Sequence, residues 1–180
     1  MNTYIKSKLK TEISSENIDW EEVYVSCLPR VFHFFCFKVG VLATAEELTS
    51  MTFEKAWSCR KNYRQDHGHI NAWIIGIARK VAVDYFRQPR REVPLDEAVE
   101  IPALIDVEED VQKKMEFHRL ALVLSRLSNR ERELIALKYG VELTNREISR
   151  ITGISESNVG TILHRVVGRI RLEWEQQRER

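Results

Sequence analysis

Apolar residues recur at three- and four-residue steps along most of this chain, and polar segments without a period separate the runs, so the pattern predicts helices. From Asn17 onward Trp20, Val23, Tyr24, Cys27, Val31, Phe34 and Phe35 form one stripe, which Pro29 is expected to bend or break. Thr44-Ala-Glu-Glu47 has the form of a capping box and is expected to open a second helix, with Leu48, Met51, Phe53, Ala56 and Trp57 available for a core. Lys61 to His69 is polar and contains a glycine, hence a loop. A third helix follows through Trp73, Ile74, Ile77, Ala78, Val81, Ala82, Tyr85 and Phe86.

The last third repeats the theme in shorter units. Ser128-Asn-Arg-Glu131 is a second capping box, heading a helix through Leu134, Ile135, Leu137 and Lys138 that Gly140 is expected to close in the left-handed conformation. Thr144-Asn-Arg-Glu147 is a third, heading a short helix with Ile148 and Ile151. Gly153 supplies a turn, and Ser155 can cap a further helix with Val159, Ile162, Leu163, Val166 and Ile170. Small Ser149, then Gly153, then apolar Ile154 and Val159 match a helix-turn-helix, in which small residues let two helices cross closely. A helical hairpin whose glycine merely ends a helix is the plainer reading of the same residues.

Between these regions Pro89 to Gln112 shows no sustained period, holds three of the four prolines and carries a net charge of −6. It reads as a linker. The expected fold is all-α: a helical domain over 1–88, a flexible acidic linker over 89–112 and a helix-turn-helix domain over 113–180.

Composition narrows the function. With 43% hydrophobic and 31% charged residues and only 7 Gly in 180, the chain is neither disordered nor fibrous. A net charge of +1 excludes coating of nucleic acid by bulk attraction, so any such site must be local. No run of 18 apolar residues predicts membrane insertion, and MNTYIKSKLK has no apolar segment of the kind a secretory signal needs. Cys27, Cys36 and Cys59 form no CxxC pair, which points to buried thiols in a reducing cytoplasm; no metal or other cofactor is expected. A Gly-rich phosphate loop, HExxH and a nucleophile elbow are all missing, so an enzyme is not expected.

Two candidate surfaces stand out. On the final helix, Ser155, Glu156, Ser157, Asn158 and Thr161 are placed to meet base edges or nearby phosphates, while His164, Arg165, Arg169 and Arg171 lie further along and suit the backbone. In the first region, Asn71, Arg79, Lys80, Asp84 and Arg87 lie off the core stripe of the third helix, and Lys61, Tyr63, Arg64, His67 and His69 precede it. Cations beside aromatic rings suit single-stranded nucleic acid, holding phosphates and stacking on unpaired bases, although the spacing alone favours an ordinary solvated face with a few core aromatics.

Taken together these motifs resemble the extracytoplasmic-function group of bacterial sigma-70 factors. Ala45-Glu-Glu-Leu-Thr-Ser-Met-Thr-Phe-Glu-Lys-Ala-Trp57 resembles that group's acidic helix ending in an aromatic. Ala72-Trp-Ile-Ile-Gly-Ile-Ala-Arg79 followed by Asp84-Tyr-Phe-Arg87 resembles its "W-L-x-x-I-A-R-N…D-x-x-R" signature. Leu127 to Ile135, and Glu147-Ile148 through His164-Arg165, resemble its two C-terminal signatures in the same order; Lys80, Ser128, Gly160 and Ile162 depart from the pattern. The resemblance implies docking on RNA polymerase core, on the largest subunit's clamp helices through Glu46, Glu47, Leu48, Met51 and Glu54, and on the flap of the second subunit. It implies promoter DNA as the other partner. The minus-ten element would meet Lys61 to His69 and Asn71 to Arg87 as an opened strand, and the minus-thirty-five element would meet the recognition helix as duplex. It also implies an anti-sigma factor and no catalysis. The rival reading is a stand-alone helix-turn-helix regulator.

Overall fold

A computed structural model describes residues 18–64, 69–87 and 107–178, and all regular structure among them is helical. Helix α1 spans Trp20–Val39 and starts on Asp19, whose carboxylate accepts from the amides of Glu21 and Glu22 at 3.0 and 3.2 Å. It ends at Gly40, in the left-handed region at φ 75°. It runs through Pro29 without a break, the more drastic of the two outcomes expected there. Cys27 before Pro29 and Val31, Phe34 and Phe35 after it are all buried, and their packing outweighs the one backbone hydrogen bond a proline forgoes.

Helix α2 spans Leu42–Ser58, three residues earlier at its start than the Thr44 box predicts, with Val41 as an N-cap that makes no side-chain bond. The two-residue turn at Gly40 and Val41 sends the chain back along α1, so Ala45, Leu48, Thr49, Thr52 and Ala56 face the core and Thr44 falls inside the first turn. A 3-10 turn at Arg60–Asn62 follows, then α3 over Ile70–Arg87. Its buried residues Ile74, Ile75, Ala78, Val81 and Ala82 close a three-helix bundle.

Helix α4 spans Val107–Ser125, so helix begins inside the stretch expected as linker; the rest of that stretch lies outside the described residues. Helix α5, Asn129–Ile135, widens into a π turn at Ala136–Gly140, and α6 (Asn145–Thr152) and α7 (Glu156–Arg178) follow. Ser128 and Thr144 form full capping boxes: the Ser128 and Thr144 hydroxyls accept from the Glu131 and Glu147 amides, and each glutamate accepts from its cap's amide.

The two halves are packed together on one apolar core. Phe34, Phe35 and Val31 of α1 join Leu134, Leu137, Val141, Val159 and Val166 of the C-terminal half in the same buried cluster. Gly140 shows how close the approach is. A Cβ there would lie 2.9 Å from the carbonyl carbon and oxygen of His33 and 3.0 Å from the amide nitrogen of Phe34. The expected left-handed stop is therefore a contact glycine, and the positive φ falls two residues later, at Glu142 (65°).

Candidate nucleic-acid and polymerase interfaces

The helix-turn-helix is formed by α6, Gly153 at φ 74° and α7. Val159, Ile162, Leu163 and Val166 are buried, which leaves Ser155, Glu156, Ser157, Asn158, Thr161, His164 and Arg165 exposed on the opposite side. At 1.5 Å per residue the row from Ser157 to Arg165 is about 12 Å long, the width of a B-DNA major groove. The Val159 amide bonds to the Ser155 carbonyl at 2.9 Å, so Ser155 stands just ahead of the first turn, with its hydroxyl 3.5 Å from that of Ser157. Thr161 Oγ1 donates to the Ser157 carbonyl at 3.0 Å.

Two departures from the resemblance acquire reasons here. Ile162 is 8% exposed and belongs to the core. Gly160 lies against α6, where a Cβ would sit 3.4 Å from Asn145 Nδ2. Arg169 does not join the exposed row, since its guanidinium pairs with Glu131 Oε1 at 2.7 Å. The Ser128 and Arg169 contacts together hold the Glu131 carboxyl below its ordinary pKa even though burial opposes them. Arg171 is exposed one turn beyond Gly168.

The candidate strand surface of the first half is reshaped more. Lys61, Arg64, Lys80 and Arg87 are exposed, Asn71 is half-buried, and His67 lies outside the described residues. Tyr63 is 8% exposed, with its ring 5.4 Å from that of Trp73, so it is a packing residue and not a platform for a base. Burial pushes its phenol upward in pKa. Asn71 Oδ1 accepts from the buried Cys27 thiol at 3.3 Å. Arg79 is committed elsewhere: its Nε pairs with Glu133 Oε1 at 2.6 Å and its Nη1 donates to the Ile151 carbonyl at 2.6 Å, both in the other half. An aromatic that the spacing missed is Trp57, 54% exposed, with the Arg60 guanidinium 3.9 Å over its ring.

On the outer side of α1 and α2 lies a groove of about 770 Å³ bordered by Tyr24, Phe32, Phe53, Trp57, Glu46 and Glu54. It combines an apolar floor with two carboxylates, the form expected of a protein docking site. Glu47 is exposed outside this lining, Met51 is half-buried against the core, and Leu48, 2% exposed, belongs to the core beneath it.

The Cys27 and Cys36 thiols are buried and pushed upward in pKa, Cys36 to about 12, mainly because burial disfavours the thiolate. No group of three His, Cys, Asp or Glu among the described residues is arranged to hold a metal, and no described helix is long and apolar enough to cross a membrane.

The comparisons with known proteins agree with this geometry. Residues 23–92 match the family model for sigma-70 region 2, and residues 117–170 match that for sigma-70 region 4. The ECF RNA polymerase sigma factor SigM of Bacillus subtilis is 27% identical over 152 residues, 84% of this chain and 92% of SigM. The ECF factor BldN of Streptomyces coelicolor is 29% identical over 140 residues, 76% of this chain but only 53% of BldN. Among solved structures, the sigma factor RpoE in complex with the anti-sigma factor NepR from Bartonella quintana aligns with a TM-score of 0.66 at 22% identity, over 87% of this chain and 97% of RpoE. CnrH in complex with the cytosolic domain of CnrY aligns with a TM-score of 0.60 at 18% identity, over 86% and 84% of the two chains. A stand-alone regulator accounts for region 4 but not for region 2. With both regions present in the family's order, the chain belongs to the sigma-70 family as an extracytoplasmic-function sigma factor, a protein that directs RNA polymerase to initiate transcription.

Proposed function

We propose that the first half docks on the clamp helices of core polymerase through the Glu46, Phe53, Glu54 and Trp57 groove and holds the opened minus-ten strand with Lys61, Arg64, Lys80 and Arg87. The second half reads the minus-thirty-five duplex with Ser157, Asn158, Thr161, His164 and Arg165. The observation that carries this reading is the exposed row on α7, polar along its whole length and mounted on a helix-turn-helix whose other face is fully buried. Phosphate contacts from Arg165 and His164 fix register, and Asn158 is the side chain best suited to an adenine edge. Opening of the duplex draws on binding energy alone, because each captured unpaired base offsets an unstacking cost of a few kcal/mol. The protein acts in the cytoplasm, where its polymerase is. An anti-sigma factor covering the α1–α2 groove would block polymerase docking; two structural neighbours are themselves complexes with such partners or with a cytosolic domain.

The test is transcription reconstituted with core polymerase, followed by mapping of the start sites. Asn158→Ala and Arg165→Ala are expected to weaken protection of the upstream element while leaving the protein's melting temperature unchanged. Unchanged protection would remove α7 as the reader.

A further inference from the structure

We infer that the cleft between α1, α3 and α6 is a binding site for a small aliphatic carboxylate, its charged end held by Arg30, Arg150 and the start of α3 and its hydrocarbon chain laid on an aliphatic floor. This cleft lies apart from the α1–α2 groove, and its occupation requires neither polymerase nor DNA.

The cleft encloses about 580 Å³, within the range of small-molecule sites. Its floor is Ile74 and Ile75 of α3, Val141 and Leu143 beyond the π turn, and Ile151 of α6. All five are aliphatic, so the floor offers dry contact area to a hydrocarbon chain and no ring on which an aromatic ligand could stack.

The rim offers donors. Arg30 on α1 and Arg150 on α6 are exposed, and neither guanidinium makes a hydrogen bond or ion pair among the described residues. Asn71 spends its Oδ1 on the Cys27 thiol at 3.3 Å, which leaves its Nδ2 hydrogens to a ligand. His69 accepts the Asn71 amide on Nδ1 at 3.4 Å, so in the neutral ring the proton sits on Nε2 and is a further donor. Both residues stand at the N-terminal end of α3, an 18-residue helix whose dipole favours negative charge there.

The rim's one carboxylate, Glu147, is turned to its own cap, accepting from the Thr144 amide at 2.8 Å and the Thr144 hydroxyl at 2.7 Å. Those bonds hold its carboxyl below its ordinary pKa, and Arg150 and Arg30 lower it further against a small opposing effect of burial, so both guanidiniums act on the same spot. Glu147 neutralises at most one of them. One cation is therefore left for a ligand's carboxylate, and the rim suits a monoanion better than a neutral molecule or a cation.

Isothermal titration calorimetry of the full chain with octanoate, octanamide and inorganic phosphate tests the charge and the chain separately. Octanoate is expected to bind saturably at one site and to raise the melting temperature. Octanamide, of the same shape without the charge, and phosphate, charged without the chain, should each bind at least about tenfold more weakly. Arg30→Gln and Arg150→Gln change exposed residues and leave the apolar core intact; each should weaken octanoate binding about tenfold with the melting temperature of the free protein unchanged. Absence of saturable octanoate binding, equal affinity for octanamide or phosphate, or full octanoate affinity in both arginine variants overturns the site. A single-stranded oligothymidylate of about 12 nucleotides supplies the last arm. If it and octanoate exclude each other, these cations serve strand phosphates and the inference fails, whereas independent binding of the two supports a separate site.

Discussion

Lys38 of α1 and Asn129 of α5 stand 91 positions apart in the chain yet meet through two hydrogen bonds from one ammonium, at 2.8 and 3.0 Å. The same lysine receives little else: Arg132 donates to its carbonyl at 3.4 Å, and the Phe86 ring lies 5.5 Å from its Nζ. Removing either partner therefore has unequal consequences. Asn129→Ala deletes one acceptor and leaves a buried cation under-satisfied, which should cost about 1–3 kcal/mol. Lys38→Met removes the charge together with its need for partners and should cost less, because an apolar residue of similar volume suits the site. Urea denaturation of the two variants gives the order, and an equal loss would show that Asn129 contributes only through its own packing.

The same site gives a pH dependence with a definite sign. Burial lowers the Lys38 pKa from its ordinary value near 10.5 to about 8; Glu133 opposes the shift, while Arg132 and Arg79 reinforce it. The folded state thus releases its proton first. Stability from this group should rise as pH increases from about 8, and it is lost again as pH falls through that value. Cys36, raised to about 12, works in the opposite direction above its ordinary value near 9.0, which narrows the useful window to pH 8–9. The difference in stability between wild type and Lys38→Met, followed across that window by chemical denaturation, should grow in favour of wild type with pH. A flat difference would mean that the ammonium is not desolvated in solution.

Ser128 and Thr144 start the helices that present the DNA-reading unit, and each cap closes a reciprocal pair with a glutamate three residues on. Ser128→Ala and Thr144→Ala should each lower stability by about 1 kcal/mol in thermal denaturation. Thr44→Ala should be nearly silent, because Thr44 lies inside the first turn of α2 and caps nothing.

Trp57 and Tyr63 invert their expected roles. Trp57→Ala should leave the melting temperature almost unchanged, since the ring is 54% exposed, and should weaken capture of core polymerase through the α1–α2 groove. Tyr63→Ala should lower the melting temperature, because the ring fills space against Trp73. Pull-down with core enzyme beside a melting curve separates the two.

What the sequence made legible was local. The stripes of α1 and α3, apart from the exposed Tyr24 and Tyr85, the Ser128 and Thr144 boxes and the Gly153 turn follow from spacing within a dozen residues, and the exposed face of α7 is the complement of its buried stripe. What it concealed depends on residues far apart. Gly140 reads as a helix stop until α1 lies beneath it, Arg79 and Arg169 read as free cations until Glu133 and Glu131 face them, and Pro29 reads as a breaker until the packing around it is known. The acidic excess before α4 suggested two bodies held apart, whereas the apolar cluster joins them.

The aromatic corner of the first half has an optical consequence. Trp20 stands edge-on to both Trp57 and Trp73, each ring pair 6.2 Å apart, so three of the chain's four tryptophans occupy one spot, and Trp174 sits alone on α7. Indoles this close exchange excitation, and the Arg60 cation over Trp57 colours their emission. In the unlabelled protein three of the four indoles therefore report on one corner of the molecule, beside the proposed polymerase groove, and the fourth, Trp174, reports on the helix that carries the recognition row.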